Sequence, residues 1–269
     1  MAETPYFVSY PEALRILKLH PLTLSTEFKT LDEAFHRILS SDLESKVDDP
    51  RFDNSAMDGF AFRYEDSTSP PRELEIIQTI QAGSNALATP LASGQAACIM
   101  TGAPIPEGAD AILPIEKCDV DQENSTVSLL EEGKKHFIRK QGENLSKGQV
   151  SLKKGALLTP SSIGLCATMG YPEVPVYTQA KIGILSTGDE LKFPGEELRE
   201  NEIYESNSFG LSSLVQQHGH HSKRYDSVID SIDELREKLN TAAQECDLIL
   251  TSGGVSMGEW DLVRKLMEE

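Results

Sequence analysis

The chain has 269 residues, of which 43 are acidic and 25 basic, for a formal charge of −18. That balance argues against a nucleic-acid binder built on a basic patch, and it means that an anionic ligand needs a local cation or metal ion. Hydrophobic residues make up 39% of the chain, enough for one large domain or two ordinary ones. No apolar run approaches membrane-spanning length, and MAETPYFVSYPEAL lacks the basic-then-apolar order of a secretory signal. Cys98, Cys118, Cys166 and Cys246 are widely spaced and form no paired motif, which points to reduced thiols in a cytoplasmic protein.

In chain order, the first predicted elements are two helices. Ser9 with Glu12, and Pro11 near the start, opens one in which Leu14 and Leu17 recur at helical spacing. Thr30 with Glu33 opens the next, striped by Leu31, Ala34, Phe35, Ile38 and Leu39. Both stripes are expected to face the core. From about Val47 to Phe137 the helical period disappears. Short apolar runs (LEIIQTI, QAACIM, DAILPI, STVSLL) alternate there with Pro-, Gly- and Asp-rich turns, which predicts a β-rich insertion over 47–137. TPSSIGLCATMG then reads as a helix, with Thr159 as N-cap, Pro160 in the first turn and Gly170 at the stop. PEVPVYTQA follows as an extended connector, since two prolines resist a helix.

From about Lys181 strands and helices alternate: KIGIL, SNSFGLSSLVQQHG, KRYDSVI, SIDELREKLNTAAQE, DLILTS and EWDLVRKLMEE. Such alternation implies a parallel sheet with right-handed crossovers. The expected architecture is therefore multi-domain, mixed α/β and β. An N-terminal and linker region covers 1–177, and a three-layer α/β/α domain with a thin, incomplete sheet covers 178–269. Two strand ends in that domain carry glycine-rich loops, STGDEL at 186–191 and TSGGVSMGEWD at 251–261. Glycine lets backbone N–H groups approach a ligand, helix N-termini attract anions, and open α/β sheets bind ligands at this edge. Either loop alone reads equally well as an ordinary tight turn.

Six segments in order carry more weight than any single loop. DNSAMDGFA (53–61), TGAPIPEGADAILPIE (101–116), GENLSKG (142–148), STGDEL (186–191), YESNS (204–208) and SGGVSMGEWD (252–261) together resemble the molybdopterin molybdotransferases, the family that includes the catalytic domain of gephyrin. The resemblance covers essentially the whole chain. It implies insertion of molybdate into adenylylated molybdopterin with release of AMP, and Mg²⁺ to bridge the substrate pyrophosphate. It also implies a homodimer in which one subunit's N-terminal region completes its partner's site, with a molybdopterin adenylyltransferase upstream. The last segment becomes, on this resemblance, a molybdopterin-binding domain.

Carried over motif by motif, the catalytic positions are Asp58, Thr101, Glu190, Asp230 and Asp261, of which Glu190, Asp230 and Asp261 are the metal ligands. Asp230 is placed only by its distance before DELREKL, with Asp226 as the fallback. The substrate-binding positions are Asn144, Ser186, Thr187, Gly188, Asp189, Asn207, Ser252, Gly253, Gly254, Ser256 and Gly258. Asn144 stands where many relatives carry Asp in an active-site role; its amide keeps an acceptor but loses the charge. Family members also continue past the position of Glu269, through the rest of the pterin domain and a further β-domain, so this chain is expected to be much less active than a full-length relative.

Each residue has a structural reading beside the functional one. Asp58-Gly59 is an ordinary turn dipeptide, Thr101-Gly102 before two prolines can be a turn, and Glu190 and Asp261 can merely favour a helix dipole. The HGHH run at 218–221 can hold a metal, but a solvated helix-end loop with Gly219 at the cap fits it better. Three functions compete: a molybdotransferase, a non-catalytic dimerising or scaffold fragment of that family, and another enzyme on the pterin-binding fold. DNSAMDG argues against the third, whose members resemble only the last segment.

Overall fold

The computed structural model describes residues 8–84, 90–226, 231–253, 262, 263 and 266. They group into two compact units, one of Met1–Ser40, Leu157–Thr159 and Val174–Glu269, the other of Ser41–Ala156 and Pro160–Glu173. The boundary drawn from the sequence at 177/178 falls inside the first of these.

The second unit holds the β-rich insertion. Six strands form one mixed sheet in the spatial order Ala111–Pro114, Gly59–Phe62, Gln95–Ile99, Arg72–Ile80, Thr126–Leu129 and Cys118–Asp121. Arg72–Ile80 runs parallel to Gln95–Ile99, and the remaining pairs are antiparallel. Strand Gly59–Phe62 is buried on both faces: Phe60 and Phe62 enter one cluster with Leu74, Leu113 and Leu129, while Ala61 enters another with Ile80, Ile99 and Ile112. That alternation is the two-residue period of a strand covered on both sides. Gly59 is required for it, because a Cβ there would lie 2.1 Å from the Leu113 carbonyl oxygen.

Helix Pro160–Thr168 begins at the predicted proline and buries Cys166. Gly170 adopts φ +84°. The Gly170 N–H donates to Ala167 O and the Tyr171 N–H to Cys166 O, which satisfies the last carbonyls of the helix.

In the first unit, Ser9 caps helix Tyr10–Leu19 by accepting from the Glu12 N–H. The leucine stripe is not core, however: the helix has no buried residue, and Leu17 is 68% exposed. The second predicted helix is also not formed. Residues 31–37 make turns, and His36 takes φ +63°, which no right-handed helix allows. Here the Thr30–Glu33 signal closes a turn, with the Glu33 N–H donating to Thr30 O. The competing bonds are non-local: the His36 N–H donates to Leu158 O, Ile38 bridges Leu157 and Leu39 bridges Val176. Ala34 and Leu39 are core residues all the same. The proline-containing connector is strand Glu173–Tyr177, paired with Thr26–Thr30.

The parallel sheet runs His221–Arg224, Lys181–Ser186, Leu248–Ser252. Its central strand is covered from both sides. Ile182 and Ile184 pack with Val215 of helix Asn207–Gln217, and Leu185 packs with Leu235 of helix Ile232–Glu245. The strand read as KRYDSVI starts earlier, at His221, and most of EWDLVRKLMEE lies outside the described residues.

Candidate functional site

At the C-terminal edge of the parallel sheet the two glycine-rich loops touch through their backbones. The Thr187 N–H donates to Ser252 O at 3.0 Å. Gly253 sits at φ +93°, and a Cβ there would fall 2.4 Å from Thr187 O, so only glycine permits this approach. Asn207, the first residue of its helix, donates through Nδ2 to Ser252 Oγ at 2.8 Å. Ser186 donates its hydroxyl to Glu205 Oε1 at 3.1 Å. Ser186, Thr187, Asn207, Ser252 and Gly253 therefore converge. Ser186 is buried with its hydroxyl committed to Glu205, whereas Thr187 is 7% exposed and its Oγ1 has no hydrogen-bond partner among the described residues.

Gly188 carries the chain away from the sheet at φ +151°, and a Cβ there would lie 2.6 Å from Glu190 Oε2. The Glu190 carboxylate thus lies over the glycine backbone. Asp189 and Glu190 line an open cavity of about 480 Å³ together with Arg199, Glu200, Asn201 and Glu202. Four carboxylates line it with one guanidinium, and Glu202 among them is paired with both Arg199, at 3.9 Å, and Lys192, at 3.5 Å. Oxygen-rich walls with this charge suit a hard cation better than a bare anion.

The second unit holds an arrangement of its own. Asp58 Oδ1 accepts from the Thr101 N–H at 2.6 Å and from the Thr101 hydroxyl at 2.7 Å. Those two bonds, the backbone one first, hold the exposed Asp58 carboxyl below the usual carboxylate range. Gly102 and Ser55 bind one another's segments: the Gly102 N–H donates to Ser55 O, and the Ser55 N–H to Ala103 O. In the same DNSAMDG segment Asn54, in the short strand Asn54–Ser55 paired with Ile138–Arg139, has a buried Oδ1 without a partner among the described residues. GENLSKG is held by the acidic segment before it, since Asp48 accepts from the Lys147 N–H and Asp49 Oδ2 accepts from Asn144 Nδ2 at 2.9 Å. Asn144 is exposed at this position.

Asp230, Gly254, Ser256, Gly258 and Asp261 lie outside the described residues. Glu190 is thus the described member of the expected metal set, and among the described residues no three His, Cys, Asp or Glu side chains are grouped to hold an ion. Asp226, the fallback for Asp230, is exposed, and its carbonyl accepts from Lys238 Nζ. His218, Gly219 and His220 lie at the opposite end of the strands, where they line a cavity of about 690 Å³ with His36, Arg37 and an apolar wall. Burial, and then the charges of His218, His221 and Arg37, push the His220 imidazole down, and its Nδ1 accepts from the Ala180 N–H.

Two residues escaped the sequence reading. Asn54 belongs to DNSAMDG, but an asparagine in a turn-like sequence gives no sign that its oxygen will be buried in a paired strand. Glu205 had a weak signal, an acidic side chain three residues before Ser208 at a helix start.

Comparison with known proteins adds an independent line. The family profile described as MoeA N-terminal region (domain I and II) matches residues 8–170, and that described as probable molybdopterin binding domain matches residues 183–269. The chain is 38% identical to a molybdopterin molybdenumtransferase of Haemophilus influenzae over 95% of its own length and 63% of that protein. It is 36% identical to the molybdopterin molybdenumtransferase of Bacillus subtilis over 91% of its own length and 58% of that protein. It therefore spans less than two thirds of either relative. The crystal structure of a molybdopterin biosynthesis protein, moeA, from Pyrococcus horikoshii superposes with a TM-score of 0.84 at 34% identity, over 92% of this chain and 66% of that one.

Proposed function

This chain belongs to the MoeA family of molybdopterin-biosynthesis proteins, and on that premise we propose that it carries the substrate site of a molybdopterin molybdotransferase. In this reading adenylylated molybdopterin binds at the glycine-rich loops Ser186–Glu190 and Ser252–Asp261, molybdate is inserted into its dithiolene, and AMP is released. One observation supports it above the others. Asn54 Oδ1 and Thr187 Oγ1 are the buried side-chain oxygens without partners among the described residues, and each falls inside a family motif. Buried polar atoms are normally satisfied, so an orphan in a loop that also needs glycine for close approach marks a place where a ligand supplies the bond.

Divalent-cation chemistry is part of this reading. Glu190, with Asp189 beside it, and Asp230 and Asp261 by family correspondence, would hold Mg²⁺, which when bound offsets the charge of the substrate pyrophosphate. The rest is the work of side chains. Ser252 Oγ accepts from Asn207, which leaves its hydroxyl proton to donate to a ligand oxygen. Thr187 offers a buried hydroxyl beside it. Asp58, held ionised by Thr101, offers an acceptor for a proton or a substrate hydrogen bond.

The same reading makes the protein a cytoplasmic homodimer that takes its substrate from an adenylyltransferase. The unburied helix Tyr10–Leu19, with Phe28 and Phe35 also exposed on the first unit, supports self-association, because apolar surface of this kind marks an interface. No helix among the described residues is long and apolar enough to cross a membrane.

The test is AMP release from purified adenylylated molybdopterin, with and without molybdate. Molybdate-dependent release is expected. Tight binding without release would leave a binding fragment, and absence of both would overturn the reading.

A further inference from the structure

We propose that Glu205 is a positioning residue of this site, one that sets the geometry of both glycine-rich loops without touching the substrate. The inference rests on the site proposed above. Glu205 is 2% exposed, and a buried carboxylate is costly unless donors surround it. Here they do. Oε1 accepts from the Ser186 hydroxyl at 3.1 Å and the Ser208 N–H at 2.7 Å, and Oε2 accepts from the Ser208 hydroxyl at 2.5 Å. Arg224 approaches the same group through Ser208 Oγ at 3.5 Å, its guanidinium stacked on Phe209.

These bonds exceed what a helix cap needs. A cap requires one acceptor for the Ser208 N–H; the bond to Ser186 belongs to a different element, the end of the central strand. From there the connections close into a ring. Ser186 precedes Thr187, whose N–H donates to Ser252 O, and Ser252 Oγ accepts from Asn207, which precedes Ser208. Glu205 is the side chain that joins the strand end to the helix start and so closes the ring. Its own N–H donates to Lys192 O, which also anchors the segment just after Glu190. The orphan hydroxyl of Thr187 is carried on this ring. Loss of the carboxylate should therefore loosen the strand end from the helix start, so that the Thr187–Ser252 bond opens more readily while the strand pairing and both packed faces of the sheet remain.

The test uses Glu205→Gln, which keeps shape but replaces one acceptor by a donor, and Ser186→Ala, which removes a single bond and is the milder change. Amide exchange at Thr187 reads the ring directly, exchange in helix Ile232–Glu245 serves as the remote control, and calorimetry with adenylylated molybdopterin and Mg²⁺ reads binding. Glu205→Gln should speed Thr187 exchange and weaken binding, each on the order of tenfold, the scale of one charge-assisted hydrogen bond. Ser186→Ala should shift both in the same direction by less, with the remote helix unchanged. Unaltered Thr187 exchange, or equal acceleration in the remote helix, would overturn the proposal and reduce Glu205 to a fold-stabilising group. If wild-type protein binds no ligand while Glu205→Gln still frees Thr187, the substrate reading fails and the positioning role stands.

Discussion

Thr101 donates twice to one oxygen of Asp58, from its backbone N–H at 2.6 Å and from its hydroxyl at 2.7 Å. The residues are 43 positions apart in sequence, so the pair ties the DNSAMDG turn to TGAPIPEG by a bond to a charged group. Both donors favour the ionised carboxylate. The folded pKa is lowered, so the stability from this pair is present above the unfolded pKa and is lost as pH falls through the folded one. Thr101→Val removes one donor and should raise the Asp58 pKa, read by carboxyl-carbon NMR titration. An unchanged titration would show that the hydroxyl bond carries nothing. In the turnover assay, Asp58→Asn should cost on the order of a hundredfold or more if the group moves a proton.

A second prediction separates two kinds of glycine in the same unit. A Cβ at Gly59 meets the Leu113 carbonyl oxygen at 2.1 Å, whereas one at Gly94 meets nothing within 4 Å among the described residues although φ is +81°. Gly59→Ala should therefore destabilise by about 2 kcal/mol or more, through forced displacement of a central strand. Gly94→Ala should cost only the conformational strain of a left-handed residue, about 1 kcal/mol. Thermal unfolding of the two variants compares them, and equal losses would contradict the close approach at Gly59.

Asn144 fits its surroundings for a reason that the loss of charge obscures. Its amide donates to Asp49 Oδ2, so an aspartate there would set two carboxylates against each other. Asn144→Asp should lower stability at neutral pH by about 0.5 kcal/mol, the scale of an exposed pair. The penalty should shrink in acid, where carboxylates lose their charge, and as salt increases. Denaturant titrations at pH 7 and pH 4, in low and high salt, measure it. A more stable variant at pH 7 would mean that Asp49 does not face residue 144.

Local chemistry explains which parts of this fold could be read in advance. Helix Pro160–Thr168 was legible because Pro160 and Gly170 act on their own backbone. The central strand, buried on both faces, was legible as the continuous apolar run KIGIL. The Thr30–Glu33 signal misled because bonds from His36, Ile38 and Leu39 to distant residues outweighed a local preference of a few tenths of a kcal/mol per residue. The site divides in the same way. Thr187, Ser252 and Gly253 stand in glycine-rich runs at strand ends, which sequence displays. Glu205 and the buried oxygen of Asn54 acquire meaning only from burial, which depends on the whole fold.

The acidic cavity at the loop edge gives the last prediction, concerning metal removal. Asp189, Glu190, Glu200 and Glu202 face one space with Arg199 in a chain of formal charge −18, so a pyrophosphate-bearing ligand meets repulsion unless a cation intervenes. Chelation by EDTA should weaken binding of adenylylated molybdopterin by on the order of tenfold or more, as for loss of a bridging charge. Glu190→Gln sharpens the test, because the sign of its effect should reverse. With Mg²⁺ present the variant lacks a ligand oxygen of full charge and should bind less well than wild type. In EDTA it lacks only a repelling carboxylate, so it should bind as well as wild type or better. Calorimetry of both proteins under both conditions gives four affinities. If Glu190→Gln binds less well than wild type by the same factor with and without Mg²⁺, Glu190 contacts the substrate directly and the cation has no part in its role.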